Sequence, residues 1–204
     1  SEYTQLVTPV STPLHVQGTL MVLSGTLAPK GAVVKIAGLD RPRFRGKAKV
    51  FNAEEEAFEA ISKGEVTEGD VLVIRYEGPK GGPGMREMLA VTAALVGQGL
   101  GQKVAMVTDG RFSGATRGLM IGHVSPEAMK GGPIAIVEND DQIEIDIERG
   151  TVDLMLDSIT IEERLKNWKP IANRYFSGVL AKYASLVQSA SDGAITLPAR
   201  EIPR

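Results

Sequence analysis

VLVIRYEGPKGGPGMREM, residues 71–88, places a strongly apolar strand directly before a glycine-rich loop and the start of a helix. A similar strand leads into a glycine-containing turn in VAMVTDGRFSGATRGLMI, residues 104–121. Glycine lets the backbone approach a ligand closely, and the first amides of a helix have no partner within the helix. These two segments are therefore predicted to be where the chain meets a small molecule.

Short β-forming runs extend outward from these segments, separated by glycine and proline. They are predicted at residues 19–23, 33–36, 71–76, 103–108, 134–137, 142–147 and 151–156. Helices are fewer, with two in the tail at about 160–168 and 178–187. Because strands and helices do not alternate regularly, the pattern favours a mixed β/α, barrel-like domain over a doubly wound parallel sheet.

A further helix is predicted between the alternating basic residues at 41–49 and the first glycine-rich segment. Asn52 is its predicted N-cap, with Glu55 closing a capping box, and Phe58 and Ile61 are predicted to face inward. Gly64 ends it.

The helix after the first glycine-rich loop is predicted to run over about residues 85–96. Glu87 then lies in its first turn, where the helix dipole stabilises a carboxylate and keeps it ionised. The loop is not a phosphate-binding Walker loop, because Lys80 precedes the glycines instead of standing next to a serine or threonine at the helix start. The pattern therefore disfavours a nucleotide site and leaves Glu87 as a candidate anionic ligand.

Ser113 lies in the exposed turn of the second segment, after the strand. It matches a nucleophile elbow only loosely, because Arg111 stands where that pattern requires glycine. The two histidines are His15 and His123, and neither is near Ser113 in sequence, which disfavours an acyl-transfer triad. His123 is predicted to be a partly buried residue at a strand end, since no second ligand lies at metal-binding spacing.

Composition excludes several classes of protein. The 204 residues carry a formal net charge of −2, and no segment approaches the roughly 18 apolar residues of a membrane span. With no cysteine, the chain forms no disulfide and offers no thiolate to an iron–sulfur cluster. The alternating basic residues at 41–49 are predicted to be the outward face of a strand, and neither nucleic acid nor membrane is an expected partner.

The segments RYEGPKGGPGMREM and VTDGRFSGATRGLMIGHVSPEA together resemble the C-terminal signature of the dihydroxy-acid and sugar-acid dehydratase family. The likeness continues through GTLAPKGAVVKIAG, GKAKVFNAEEEAFEAI, GGPIAIVENDDQIEIDI and GVLAKYASLVQSAS, and so covers nearly the whole chain. The resemblance implies a swivelling-domain β/α barrel like the small domain of aconitase-type dehydratases. It also implies that residues 18–204 form this domain and that residues 1–17 are a connector from a missing N-terminal domain.

The resemblance further implies a chemistry. In the family, Mg²⁺ binds the substrate's carboxylate and 2-hydroxyl, an iron–sulfur cluster acts on the departing 3-hydroxyl, and a serine takes the C2 proton. By motif position that serine corresponds to Ser113, with Gly114 beside it at the substrate, and Glu87 corresponds to a magnesium ligand. The cluster's ligands belong to the missing N-terminal domain, so the chain alone is expected to be inactive.

Ala115 and Arg86 occupy positions where sugar-acid dehydratases tend to carry a hydroxyl residue and a residue other than arginine. The resemblance therefore implies a branched-chain dihydroxy acid substrate, in valine and isoleucine biosynthesis. It also implies a homodimeric full-length enzyme in the cytoplasm, or in an organelle if the source is a eukaryote. Alternatives are a sugar-acid dehydratase domain, a non-catalytic binding module and, more remotely, the small domain of an aconitase-type hydratase.

Overall fold

A computed structural model of the chain describes residues 7–13, 18–39 and 41–197. Within them, eight strands form one sheet: β1 Leu20–Leu23, β2 Ala32–Lys35, β3 Arg43–Phe51, β4 Asp70–Ile74, β5 Ala105–Thr108, β6 Leu119–Gly122, β7 Gln142–Asp146 and β8 Thr151–Leu154. The described residues also form four α-helices: α1 Glu54–Ser62, α2 Leu89–Gly97, α3 Ser158–Asn167 and α4 Gly178–Leu186.

The sheet curls into a nearly closed barrel. Its strand order is β1-β2-β6-β5-β4-β3-β7-β8, with parallel pairing from β3 through β6 and antiparallel pairing on both flanks. The two outermost strands meet where Ser24 and Thr151 form a bridge, which the bond from Ser24 N to Gly150 O (2.9 Å) supports. The predicted mixed β/α barrel-like fold is confirmed.

The central strands are buried on both faces, which explains their continuous apolar sequence. In β4, Val71 and Val73 point into the barrel, whereas Leu72 and Ile74 point outward against α1 and α2. The barrel interior and the layer under these two helices thus form two separate apolar clusters. Both clusters hold the carboxyl ends of β4 and β5 in place, and the two glycine-rich segments begin there.

Strand β3 accounts for the alternating basic residues. Arg43, Arg45 and Lys47 are exposed, and the residues between them are buried. Arg43 contacts Asp146 at 3.0 Å and Arg45 lies 3.7 Å from Glu144, each in register across to β7. Both are cross-strand pairs whose basic side chains are exposed, so the prediction of an outward strand face is confirmed.

Three local predictions around α1 are wrong. The N-cap is Ala53, not Asn52, and the carboxylate that returns to the Asn52 amide is that of Glu56, at 2.8 Å, not Glu55. Phe58 is 44% exposed, whereas Ile61 is fully buried as predicted. The buried face of α1 is formed by Glu54, Ala57, Ala60 and Ile61, and Phe58 lies at the edge of this face, where it is only partly covered.

The strand predicted at residues 134–137 is also wrong. Pro133–Ile136 form a single 3₁₀ turn whose four residues are buried in the barrel interior. Proline at the first position presets a helical φ, and a short apolar run does not distinguish a strand from a buried helical turn.

The tail helices exist as predicted, although α4 buries little. Ala184 is its buried residue, and Val179 and Leu180 are 81% and 45% exposed. No helix among the described residues is long and apolar enough to cross a membrane. Most of the predicted connector, residues 1–17, lies outside the described residues, and this domain boundary stays a prediction.

Candidate functional site

The two glycine-rich segments lie side by side because β4 and β5 are parallel neighbours whose carboxyl ends share one edge of the sheet. Glu87 and Arg111 form a parallel bridge between the segments. Met88 N donates to Arg111 O and Arg111 N donates to Arg86 O, each at 3.0 Å. The loop that carries Glu87 and the turn that carries Ser113 are therefore joined by backbone hydrogen bonds.

The predicted place of Glu87 in a helix is wrong. Helix α2 begins at Leu89, with Met88 as its N-cap, so Glu87 precedes the helix. It lies in an extended, bridge-forming backbone, half-buried at the edge of the sheet. The helix starts later than predicted because the backbone around Glu87 pairs with Arg111. Met88 N donates to Arg111 O in this bridge.

A buried carboxylate fastens the base of both segments. Asp109, directly after β5, accepts hydrogen bonds from Tyr76 N (3.1 Å), Glu77 N (2.9 Å) and Ala128 N (2.9 Å). Its complete burial raises the pKa of the carboxyl to about 6. The three amide hydrogen bonds act in the opposite direction, because they favour the ionised form. Asp109 thus connects the ends of β4 and β5 to the segment that follows β6.

A second buried carboxylate, Glu77, fixes the residue next to Glu87. Its Oε1 accepts from Arg86 (3.4 Å), from Arg174 (3.2 Å) and from the amide of Glu54 (3.0 Å). Arg86 also forms two hydrogen bonds with Glu55, which hold the pKa of the Glu55 carboxyl below its usual range. The Arg86 guanidinium is therefore directed into a cluster of carboxylates.

Ser113 lines a cavity of about 220 Å³ on the outer face of the sheet. Gly114, also predicted at the site, is an exposed member of the same lining. Both apolar and polar residues line the cavity: the apolar ones are Leu20, Val33, Phe112 and Met120, and the polar ones are Lys35, Ser113, Thr116 and His123. Glu87 is not among the lining residues, so the structure brings Glu87 beside the serine turn but not into its cavity.

The two positions that suggested substrate preference do not line this cavity either. Arg86 points into the carboxylate cluster, and Ala115 is exposed outside the cavity wall. Preference for a branched-chain acid therefore has no support from these two side chains within this domain.

His123 lines the same cavity as Ser113, although it lies ten residues further along the sequence. It follows β6 and is half-buried with a φ of 56°. Burial and the nearby Arg111 lower the pKa of its imidazole. Among the described residues, no carboxylate orients this ring and no hydrogen bond joins it to Ser113, so the geometry is not that of an acyl-transfer triad. His15 lies outside the described residues.

The described residues contain no group of three or more histidine, cysteine, aspartate or glutamate side chains that could hold a metal ion. Glu87 offers one carboxylate, a ligand type that Mg²⁺ accepts, and a complete magnesium site would need ligands from beyond this set. The absence of cysteine from the sequence means that the chain supplies no thiolate to a cluster.

Residues 5–194 match the family model described as "Dihydroxy-acid/6-phosphogluconate dehydratase C-terminal". The chain is 58% identical over 197 residues to a protein of Saccharolobus solfataricus named dihydroxy-acid dehydratase, covering 97% of this chain and 35% of that protein. Proteins of the same name from Parvibaculum lavamentivorans (58% over 196 residues, 95% and 34%) and Sulfolobus acidocaldarius (59% over 196 residues, 96% and 35%) are similarly close. The chain thus spans about a third of the length of these curated relatives.

Proposed function

Because the chain belongs to the C-terminal domain family of dihydroxy-acid and 6-phosphogluconate dehydratases, we propose that it is the part of a dihydroxy-acid dehydratase that contributes the catalytic base. The observation that carries the proposal is the bridge between Glu87 and Arg111. The bridge places Glu87, whose carboxylate is a suitable metal ligand, next to the turn that carries Ser113. Ser113 in turn lines the cavity.

In the proposed reaction, Ser113 Oγ, as an alkoxide, takes the proton from C2 of a 2,3-dihydroxy acid. The electron pair left at C2 forms the C2–C3 double bond while the C3–O bond breaks and hydroxide departs. The proton on Ser113 Oγ then passes to the departed hydroxide, which gives water and restores the alkoxide. The enol tautomerises to a 2-keto acid, so the net loss is one water molecule. A serine is a weak base at its normal pKa, and its alkoxide therefore needs positive charge or hydrogen-bond donors close by.

We assign Glu87 as a magnesium ligand in the assembled protein. Bound Mg²⁺ would stabilise the negative charge that develops on the substrate's carboxylate side during proton abstraction. The chain's own contribution is to hold Glu87 beside the serine turn, through Arg86, Arg111 and the buried Glu77. The other metal ligands and all cluster ligands are proposed to come from the remaining two thirds of the longer protein, whose length the relatives indicate.

The test is the formation of 2-keto acid from 2,3-dihydroxy-3-methylbutanoate. The full-length protein, assembled anaerobically with cluster and Mg²⁺, is compared with the 204-residue chain under the same conditions. We expect turnover by the full-length protein alone. If the loaded full-length protein dehydrates 6-phosphogluconate but not this substrate, the domain belongs to a sugar-acid dehydratase. If it turns over neither compound, the proposed catalytic function is wrong.

Replacing Glu87 with glutamine in the full-length protein is expected to weaken Mg²⁺ binding by about 10- to 100-fold, because a neutral amide replaces a charged oxygen ligand. Titration calorimetry with Mg²⁺ measures the change. Glu144→Gln on β7 is the control, since Glu144 is a partly exposed carboxylate paired with Arg45 on another part of the barrel. Equal Mg²⁺ affinity in Glu87→Gln and the unmodified protein would remove Glu87 from the metal site.

A further inference from the structure

The tip of the serine turn is hydrogen-bonded to the barrel by a lysine that no sequence motif identified. Lys35 Nζ, at the end of β2, donates to Gly114 O at 2.5 Å and lies 3.5 Å from Thr116 O. Within the described part of the chain, these are the hydrogen bonds that join residues 112–117 to another element. The turn's remaining bonds are internal to it.

The strand register explains how Lys35 reaches the turn. In β2, Val34 points into the barrel, and so Val33 and Lys35 point outward, where both line the cavity. Val34 pairs with Ile121 of β6, and β6 is the strand that the serine turn enters. Lys35 therefore extends from the floor of the cavity up to the turn that covers one side of it.

The Lys35 contact continues to the serine hydroxyl through one peptide group. In the trans peptide between Gly114 and Ala115, the carbonyl and the N–H point in opposite directions. The carbonyl accepts from Lys35 Nζ, and the N–H donates to Ser113 Oγ at 3.2 Å. An ammonium bound to the carbonyl polarises the peptide and makes its N–H a stronger donor.

We propose that Lys35 is a positioning residue that prepares Ser113 for proton abstraction by holding and polarising the peptide between Gly114 and Ala115. This inference rests on the proposed function of Ser113. A stronger N–H donor stabilises negative charge on Ser113 Oγ, which is what a serine base requires. Because Lys35 binds the turn's carbonyls, its effect falls on the chemical step more than on substrate binding.

The first experiment compares Lys35→Met, Lys35→Arg and the control Lys47→Met in the full-length, cofactor-loaded protein. Lys47 is also a strand lysine, but it lies on β3 and pairs with Asp140. We expect Lys35→Met to lower kcat by about 10- to 100-fold, as misplacement of a catalytic group does, with little change in KM. The isotope effect with C2-deuterated substrate should rise, Lys35→Arg should recover most of kcat, and Lys47→Met should match the unmodified protein.

The second experiment is independent of activity and measures hydrogen exchange of the peptide spanning residues 109–120 in the same proteins. Loss of the Lys35 contacts should speed exchange there in Lys35→Met and leave Lys47→Met unchanged. An unchanged kcat, or unchanged exchange of this peptide in Lys35→Met, would overturn the proposal. If the unmodified protein turns over no dihydroxy acid, the catalytic role falls with the proposed function, and the exchange data still decide whether Lys35 holds the turn.

Discussion

Ser113→Ala in the full-length, cofactor-loaded protein is expected to lower kcat for the dihydroxy acid by about 10²- to 10⁴-fold, the range that a positioned general base contributes. The variant removes the atom that receives the C2 proton and leaves the cavity and its lining otherwise intact. The measurement is the initial rate of 2-keto acid formation at saturating substrate.

Two controls separate this effect from a loss of structure. The Ser113 hydroxyl accepts one local hydrogen bond, from Ala115 N, so its removal should cost only about 0.5–1.5 kcal/mol in stability. Thr116→Val removes the other hydroxyl that lines the cavity and is expected to retain most of the turnover. A Ser113→Ala protein that is folded, loaded and nearly as active as the unmodified one would refute the assignment of the base.

Glu77→Ala is expected to destabilise the domain by about 2–4 kcal/mol. Glu77 is fully buried, and its loss leaves the Glu54 amide and two guanidinium groups, of Arg86 and Arg174, without this acceptor. The two arginine side chains are about 30% exposed, which keeps the cost below that of stranding a fully buried charge. The midpoint and slope of urea unfolding of the 204-residue chain provide the measurement.

Two further variants show whether the cost belongs to this network. Glu77→Gln keeps an oxygen that can accept from the Glu54 amide, and we expect it to be less destabilising than Glu77→Ala. Glu59→Ala removes an exposed carboxylate paired with Lys63 on α1 and should leave the midpoint where it was. If Glu77→Ala unfolds at the same urea concentration as the unmodified chain, the buried ion cluster does not contribute to stability.

The sequence was sufficient for the barrel because its strands carry strong local signals. The apolar run at 71–76 and the alternating run at 41–49 each identify a strand without knowledge of its partners. Element boundaries were less secure, as the start of α1 and the 3₁₀ turn at Pro133–Ile136 show. There the deciding contacts come from residues distant in sequence: Arg75 binds Asn52 at 2.8 Å and the carbonyl of Ala135 at 2.6 Å.

The candidate site was predicted in part. Ser113, Gly114 and Glu87 were selected from their motifs, and their functional roles stay predictions. Lys35 was missed because its contact with Gly114 depends on β2 pairing with β6, a register that no local pattern reveals. Asp109 had a weak signal, an acidic residue directly after an apolar strand, but its three amide partners come from other segments.

The bridge between Glu87 and Arg111 has an evolutionary consequence for chain length. Residues on paired segments keep their relative positions only while neither segment gains or loses a residue. One insertion between Arg111 and Ser113, or one between Glu87 and α2, would displace the serine relative to the carboxylate. Insertions and deletions among related chains are therefore expected to spare these two segments even where individual side chains differ.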